Sequence, residues 1–338
     1  MKTYCTWIDN VKAICMIGVY LLHSEFYYGF GDIQYGLVFT PFYVNAFFFV
    51  SGYLFFSKQL YNSKTNNWGE YWETLQNIIY RLMIPSLIFS AIMFLPKMMF
   101  HSAEINISTF LIHVFGGIHY WFTSALLVAQ VVLLTMVRIM KRDDIWSYFY
   151  CSVLLFACGW YLNNIRTDSS VEASFPWFWK TGIENTLIMA CGGLYMQYEK
   201  LINSAGYSLF ILSVLIYGIL AYKMIDGTTI PMMGRDGRCN IMGGLIIAAG
   251  ITLITTVCHK IKDNRILSFI GRNSIIFYFF SGAFPAFIGM VAQRFFPEQI
   301  YAITIFVAFL SIVLAWFAAM VINKYFPCLI DLRKLWHK

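Results

Sequence analysis

Long apolar blocks separated by short polar clusters run the length of the chain. A block of about 20 such residues crosses a bilayer as one helix. Ten blocks occur, near 8–25, 37–57, 77–96, 118–138, 145–163, 181–198, 206–222, 240–258, 266–292 and 301–323. The pattern predicts an all-α, polytopic membrane bundle of about ten transmembrane helices, one integral-membrane domain over 1–338. The ninth block is longer than a bilayer requires, so it should tilt, break near Pro285 or run out of the membrane. No linker is long enough to set off a soluble domain, and no repeat of solenoid length is visible.

Composition supports this reading. Of 338 residues, 59% are hydrophobic and only 12% charged, against about 25% in soluble domains. The net charge of +7 is therefore read through topology. Of the 24 Lys and Arg, fifteen fall on one side of the ten-span scheme and seven on the other, with Lys12 and Arg272 inside the membrane. That bias predicts both termini in the cytoplasm, for a multi-pass protein of a bacterial inner membrane. No basic, aromatic-interleaved strand or finger suggests nucleic acid. The eight cysteines form no CxxC pair, so neither a disulfide framework nor a zinc site is expected. His113 and His119 give no clear ligand face, and no metal is expected. Lys12 interrupts the first apolar block and no small-x-small site follows, so this helix should stay in the mature protein.

The first block carries the sharpest chemistry. Asp9, Lys12 and His23 sit in DNVKAICMIGVYLLH. Eleven residues of α-helix rotate by about 1100°, so Lys12 and His23 lie within roughly 20° of one face and about 16 Å apart along the axis. Charges inside a membrane are expensive and face a bundle interior or a wet cavity. An imidazole titrates near neutrality, which makes His23 a candidate general base.

The topology groups the remaining polar residues into two layers. Lys12, Arg81, Arg272 and Ser51 lie near the cytoplasmic ends of their blocks; His23, His119, Trp121, Glu184 and Ser281 lie near the outer ends. The basic layer suits an anion such as a phosphate, for which Arg offers a bidentate fork, while Asp9 can equally pair with Lys12 three residues on. Glu184 can orient and support His23 as the acid of a triad does. Glu25 is the competing carboxylate, although residues two apart do not face each other on a helix. Asn45, Asn273, Ser274 and Tyr278 either line the cavity or form interhelical hydrogen bonds. The outer stretches 169–180 and 224–240 are rich in aromatic and turn residues, which fit a sugar-stacking surface, an interfacial belt or a structured turn.

Several segments together resemble a known family, the membrane acyltransferases of the acyltransferase-3 type. Lys12 followed by ten residues and His23 is similar to its basic-x10-His signature. Phe47-Phe48-Phe49-Val50-Ser51-Gly52-Tyr53-Leu54 resembles its FFFxSGYL stretch. Arg81-Leu82-Met83-Ile84-Pro85, His119-Tyr120-Trp121-Phe122, and Gly271-Arg272-Asn273-Ser274 with Tyr278 resemble its RLxxP, HLWFL and GxxSLxxY segments, in family order. There are departures. Ser281 stands where the family often has His, and Asn77 and Tyr80 stand before RLxxP where an arginine is common. An attached extracytoplasmic esterase-like domain is not expected.

The resemblance implies O-acyl transfer from a cytoplasmic acyl-CoA, usually acetyl-CoA, to a glycan or lipid-linked saccharide acceptor, with no bound cofactor. Donor phosphates would meet Lys12, Arg272 and Arg81. A saccharide transporter or flippase is the rival from another class and would use the same charges as a path. A non-catalytic scaffold is a third. Association into a homo-oligomer stays open.

Overall fold

The computed structural model describes residues 5–29, 36, 39–59, 68–100, 105–141, 144–165, 176–228, 230, 240–298 and 300–335. Among these, every regular element is helical. They are α1 (Thr6–Tyr28), α2 (Tyr43–Gln59), α3 (Trp68–Ile78), α4 (Ile84–Phe100), α5 (Ile107–Val114), α6 (Trp121–Met140) and α7 (Ile145–Ile165). There follow α8 (Trp179–Ser204), α9 (Gly206–Ile225), α10 (Ile241–Lys260), α11 (Arg265–Arg272), α12 (Ser274–Phe280), α13 (Ala283–Phe295) and α14 (Tyr301–Tyr325). A π-helical turn, Ile79–Met83, joins α3 to α4. Two 3₁₀ turns, Pro327–Leu329 and Leu332–Leu335, follow α14.

The described parts of the ten apolar blocks are largely helical, but they do not count as ten equal spans. Among the described residues, five helical stretches are long and apolar enough to cross a membrane: Trp68–Pro96, α6, α9, α10 and α14. A sixth is the pair α12 and α13, which is bent by 43°. The other helices fall short for a physical reason. Helix α2 has only 17 residues. Helices α1 and α8 bury polar side chains, Asp9 and Asn10 in one and Glu184, Asn185 and Thr186 in the other. A helix enclosed by protein need not be apolar all round, whereas one facing lipid must be. By contrast α9 buries only Ser213, Tyr217 and Leu220 and turns the rest of its apolar surface outward.

The ninth block does break near Pro285, with a 43° bend just before it. It separates at Asn273 and again at Ser281–Gly282. Pro285 lies in the first turn of α13, where a missing N–H removes no intrahelical bond.

Two close crossings set the interior. Helices α2 and α8 meet through Gly52 and Gly192: a Cβ on Gly52 would stand 2.0 Å from the Met189 carbonyl oxygen, and one on Gly192 would stand 2.0 Å from that of Phe49. Helix α1 runs through the middle of the bundle, packed on α2, α10, α11, α13 and α14. It meets α11 at Gly271, where a Cβ would be 2.2 Å from the Asp9 carbonyl oxygen. Small residues that let backbones touch are a principal source of packing energy between helices in lipid.

Candidate active site

His23 lies one turn before the end region of α1, half-buried, its ring stacked on Tyr27 with centroids 6.3 Å apart. Both line a cavity of about 110 Å³. Met93 and Pro96 of α4 form another wall, and His119, Tyr120 and Trp121 at the entrance to α6 a third. Tyr278, Phe279, Ser281, Gly282 and Ala283 complete it from the break between α12 and α13.

The break makes the cavity, and tyrosine hydroxyls make the break tolerable. Interrupting a helix leaves carbonyls without their usual donors. Tyr20 on α1 donates to the Phe277 carbonyl at 2.8 Å, and Tyr120 donates to that of Phe279 at 2.8 Å. Ser281 donates its hydroxyl to the Tyr278 carbonyl at 2.8 Å. The Tyr278 hydroxyl accepts from the Phe122 N–H at 3.3 Å, tying α12 to α6. His119 is almost fully buried, edge-on to Tyr120 and to His113, whose centroid is 6.4 Å away.

A short irregular segment backs this wall. Gly117 takes a positive φ of 73°, and Ser124 donates to its carbonyl at 2.7 Å. Trp177 donates its N–H to Gly116 at 2.7 Å, and both Trp177 and Phe178 hold positive φ values, 60° and 49°. Bulky residues avoid that region unless the surroundings impose it. Here Phe178 is buried beside Trp121, which holds the segment in place.

At the other end of α1 the charges collect. Asp9 is buried, and its Oδ2 accepts from Arg272 Nε at 3.3 Å. Lys12 is half-buried, within electrostatic reach of Asp9, Arg81 and Lys58. Arg81 is exposed on the π-helical turn. Such turns widen a helix locally and recur at functional positions.

The cavity and this charged end are joined by α1, the helix that carries Lys12 and His23. The description "Acyltransferase domain" belongs to the family model that matches residues 6–322. The chain belongs to the acyltransferase-3 family. No curated protein and no solved structure gave a match. Family and apolar helices together make it a membrane acyltransferase.

The family's segments now have places. His119, Trp121, Tyr278 and Ser281 line the cavity with His23. Asn45, Asn273, Ser274 and Asp9 are not among its lining residues. Asn45 and Asn273 donate instead to carbonyls four residues back, Pro41 at 3.2 Å and Phe269 at 2.8 Å. The Asn273 side-chain oxygen Oδ1 also accepts from Asn323 Nδ2 at 2.6 Å. Ser274 opens α12, and Ser51 sits half-buried beside the Gly52 crossing.

Neither candidate carboxylate lines the cavity. Glu184 is buried in the α7–α8 contact: a Cβ on Gly159 would lie 3.5 Å from its Oε1. Glu25 accepts from the Gly36 N–H with both oxygens, at 3.1 and 2.9 Å.

One polar cluster escaped the sequence reading. Glu199 accepts from Tyr53 at 2.6 Å and meets His259 Nε2 at 3.1 Å, while the His259 ring stacks on Trp7 at 4.5 Å. Glu199 follows a kink at Tyr198 in α8. This cluster ties α1, α2, α8 and α10 together next to the charged end. Among the described residues no group of three or more His, Cys, Asp and Glu is placed to hold a metal.

Of the stretches 169–180 and 224–240, residues 176–180, 224–228, 230 and 240 are described; 169–175, 229 and 231–239, with Arg235, Asp236 and Cys239, lie outside the described residues.

Proposed function

We propose that the protein is a membrane O-acyltransferase that moves an acyl group, acetyl for preference, from cytoplasmic acyl-CoA to a hydroxyl of a surface or lipid-linked glycan. The observation that carries this reading is α1. It holds Lys12 in a cluster of basic residues at one end and His23 in a cavity at the other.

The donor's phosphates meet Lys12, Arg81 and Arg272, and the pantetheine arm follows α1 inward. The roughly 16 Å of helix between Lys12 and His23 suits such an arm. His23 takes the proton of the acceptor hydroxyl as its oxygen attacks the thioester carbon. The tetrahedral adduct collapses, the C–S bond breaks, and the CoA sulfur leaves with the proton that His23 returns. Cavity aromatics supply an apolar wall that a sugar ring stacks against. Tyr278 and Ser281 have hydroxyls there that bond the acceptor or the adduct.

In this reading the ten blocks all cross the bacterial inner membrane, α1, α2 and α8 as interior spans, with both termini cytoplasmic. The test is direct. Purified protein in vesicles is given labelled acetyl-CoA outside and envelope glycans inside, and the glycans are examined by mass spectrometry. Acetyl groups on sugar hydroxyls support the proposal. Release of free acetate alone, or glycan movement with no acetylation, contradicts it.

A further inference from the structure

The segment after α14 is tied back onto the bundle. Arg333 donates through Nε to Asp331 Oδ1 at 2.8 Å and through Nη2 to Oδ2 at 2.5 Å, a bidentate pair. Its Nη1 donates to Oδ1 of the Asn77 side chain, in the turn of α3 just before the π-helical turn. The partners are 256 residues apart in sequence.

Asp331 is also within electrostatic reach of Arg81, four residues beyond Asn77, and Arg81 is within reach of Lys12. Residues from α1, the π-helical turn, α11 and the chain's last segment therefore form one connected set: Arg272, Asp9, Lys12, Arg81, Asp331 and Arg333. An acyl-CoA carries three phosphate groups, so several cations must stay available to it. A bare carboxylate beside Arg81 would compete with a phosphate for that guanidinium. A carboxylate already gripped by a second arginine competes far less. The bond to Asn77 also fixes the turn from which Arg81 projects.

We propose that residues 326–335 are a working part of the anion site, with Asp331 and Arg333 acting as positioning residues for Arg81. The inference rests on the donor reading above and names the element that completes it. Arg333 neutralises Asp331 and anchors the π-helical turn; Arg81 then meets the phosphate. The segment that does so is 256 residues from Asn77 in sequence, and its spacing advertises no such role.

The test uses the full-length protein in detergent and CoA itself as the probe, by calorimetry, with KM and kcat for acetyl-CoA measured in parallel. Arg333→Gln is expected to weaken CoA binding about tenfold, the size of one charge-assisted contact, and to raise KM with little change in kcat. Arg333→Lys should recover part of the loss. Asp331→Asn combined with Arg333→Gln leaves no unpaired carboxylate and should bind more tightly than Arg333→Gln alone, short of wild type only by what the lost Asn77 bond contributes; this pair also covers the case in which Arg333→Gln alone does not fold. In an Arg81→Gln background, Arg333→Gln should add nothing.

Wild-type CoA affinity in Arg333→Gln overturns the inference, as does a double variant as weak as the single one, or a full additional loss in the Arg81→Gln background. If the wild-type protein binds no CoA, the donor reading fails first and this inference with it.

Discussion

Arg272 Nε donates to Asp9 Oδ2 at 3.3 Å, and it does so because Gly271 lets α11 lie directly on the α1 backbone. Asp9 thus has a partner 263 residues away in addition to its neighbour Lys12. Removing Asp9 and Lys12 together does not leave a neutral site, because Arg272 loses its carboxylate. Lys12→Ala should weaken CoA binding about ten- to hundredfold. Asp9→Asn with Lys12→Met should not restore it. Calorimetry on both variants decides; restored affinity would show that Lys12 is only a structural partner of Asp9.

The glycine crossings predict a stability effect that is separate from chemistry. Gly52→Ala and Gly192→Ala each drive a methyl into a facing carbonyl oxygen. Overpacking of this kind costs about 1–3 kcal/mol, and more where backbone must move. Gly218→Ala, which meets nothing within 4 Å, is the control. Thermal unfolding in detergent should show a lowered midpoint for the first two and none for the third.

The buried Tyr120 hydroxyl serves the Phe279 carbonyl at the helix break. Tyr120→Phe keeps the ring and leaves that carbonyl without this donor, at about 1–3 kcal/mol. The expected outcome is a less stable protein with faster amide exchange at residues 279–283. Unchanged exchange there would mean that the break holds itself open.

How far the site was legible follows from these contacts. His23, His119, Trp121 and Ser281, which share a depth in the ten-block scheme, converge on one cavity, and Tyr278 joins them there. The ion pair and the hydroxyl bonds to Phe277 and Phe279 were not readable, because they join residues 159 to 263 apart with no local spacing to betray them. Glu199 with His259, and Asp331 with Arg333 on Asn77, were missed for the same reason. Glu184 shares its depth with His23, but depth does not say which way a helix turns its face, and the carboxyl lies against Gly159. Hydropathy counted α1, α2 and α8 with the lipid-facing helices, although their burial permits a more polar composition.

The C-terminal pair gives a pH dependence of definite sign. Its hydrogen bonds to Arg333 hold the Asp331 carboxyl below the ordinary aspartate range. A lowered folded-state pKa means that the pair's stabilisation is present above the unfolded value, near pH 4, and lost as pH falls through the folded one. Protection against exchange at residues 327–335, taken relative to the intrinsic rate at each pH, should therefore be high at neutral pH and fall only below about pH 4. An onset at pH 6 would point to a different titrating group.

The central claim is that His23 is the base for acyl transfer. The deciding measurement is acetyl transfer by His23→Ala, with CoA affinity and the thermal midpoint recorded on the same preparation. Loss of a positioned general base lowers the rate by about 10²–10⁴-fold, so the account predicts transfer reduced by that factor with CoA binding and stability near wild type. Transfer at the wild-type rate in His23→Ala would contradict it.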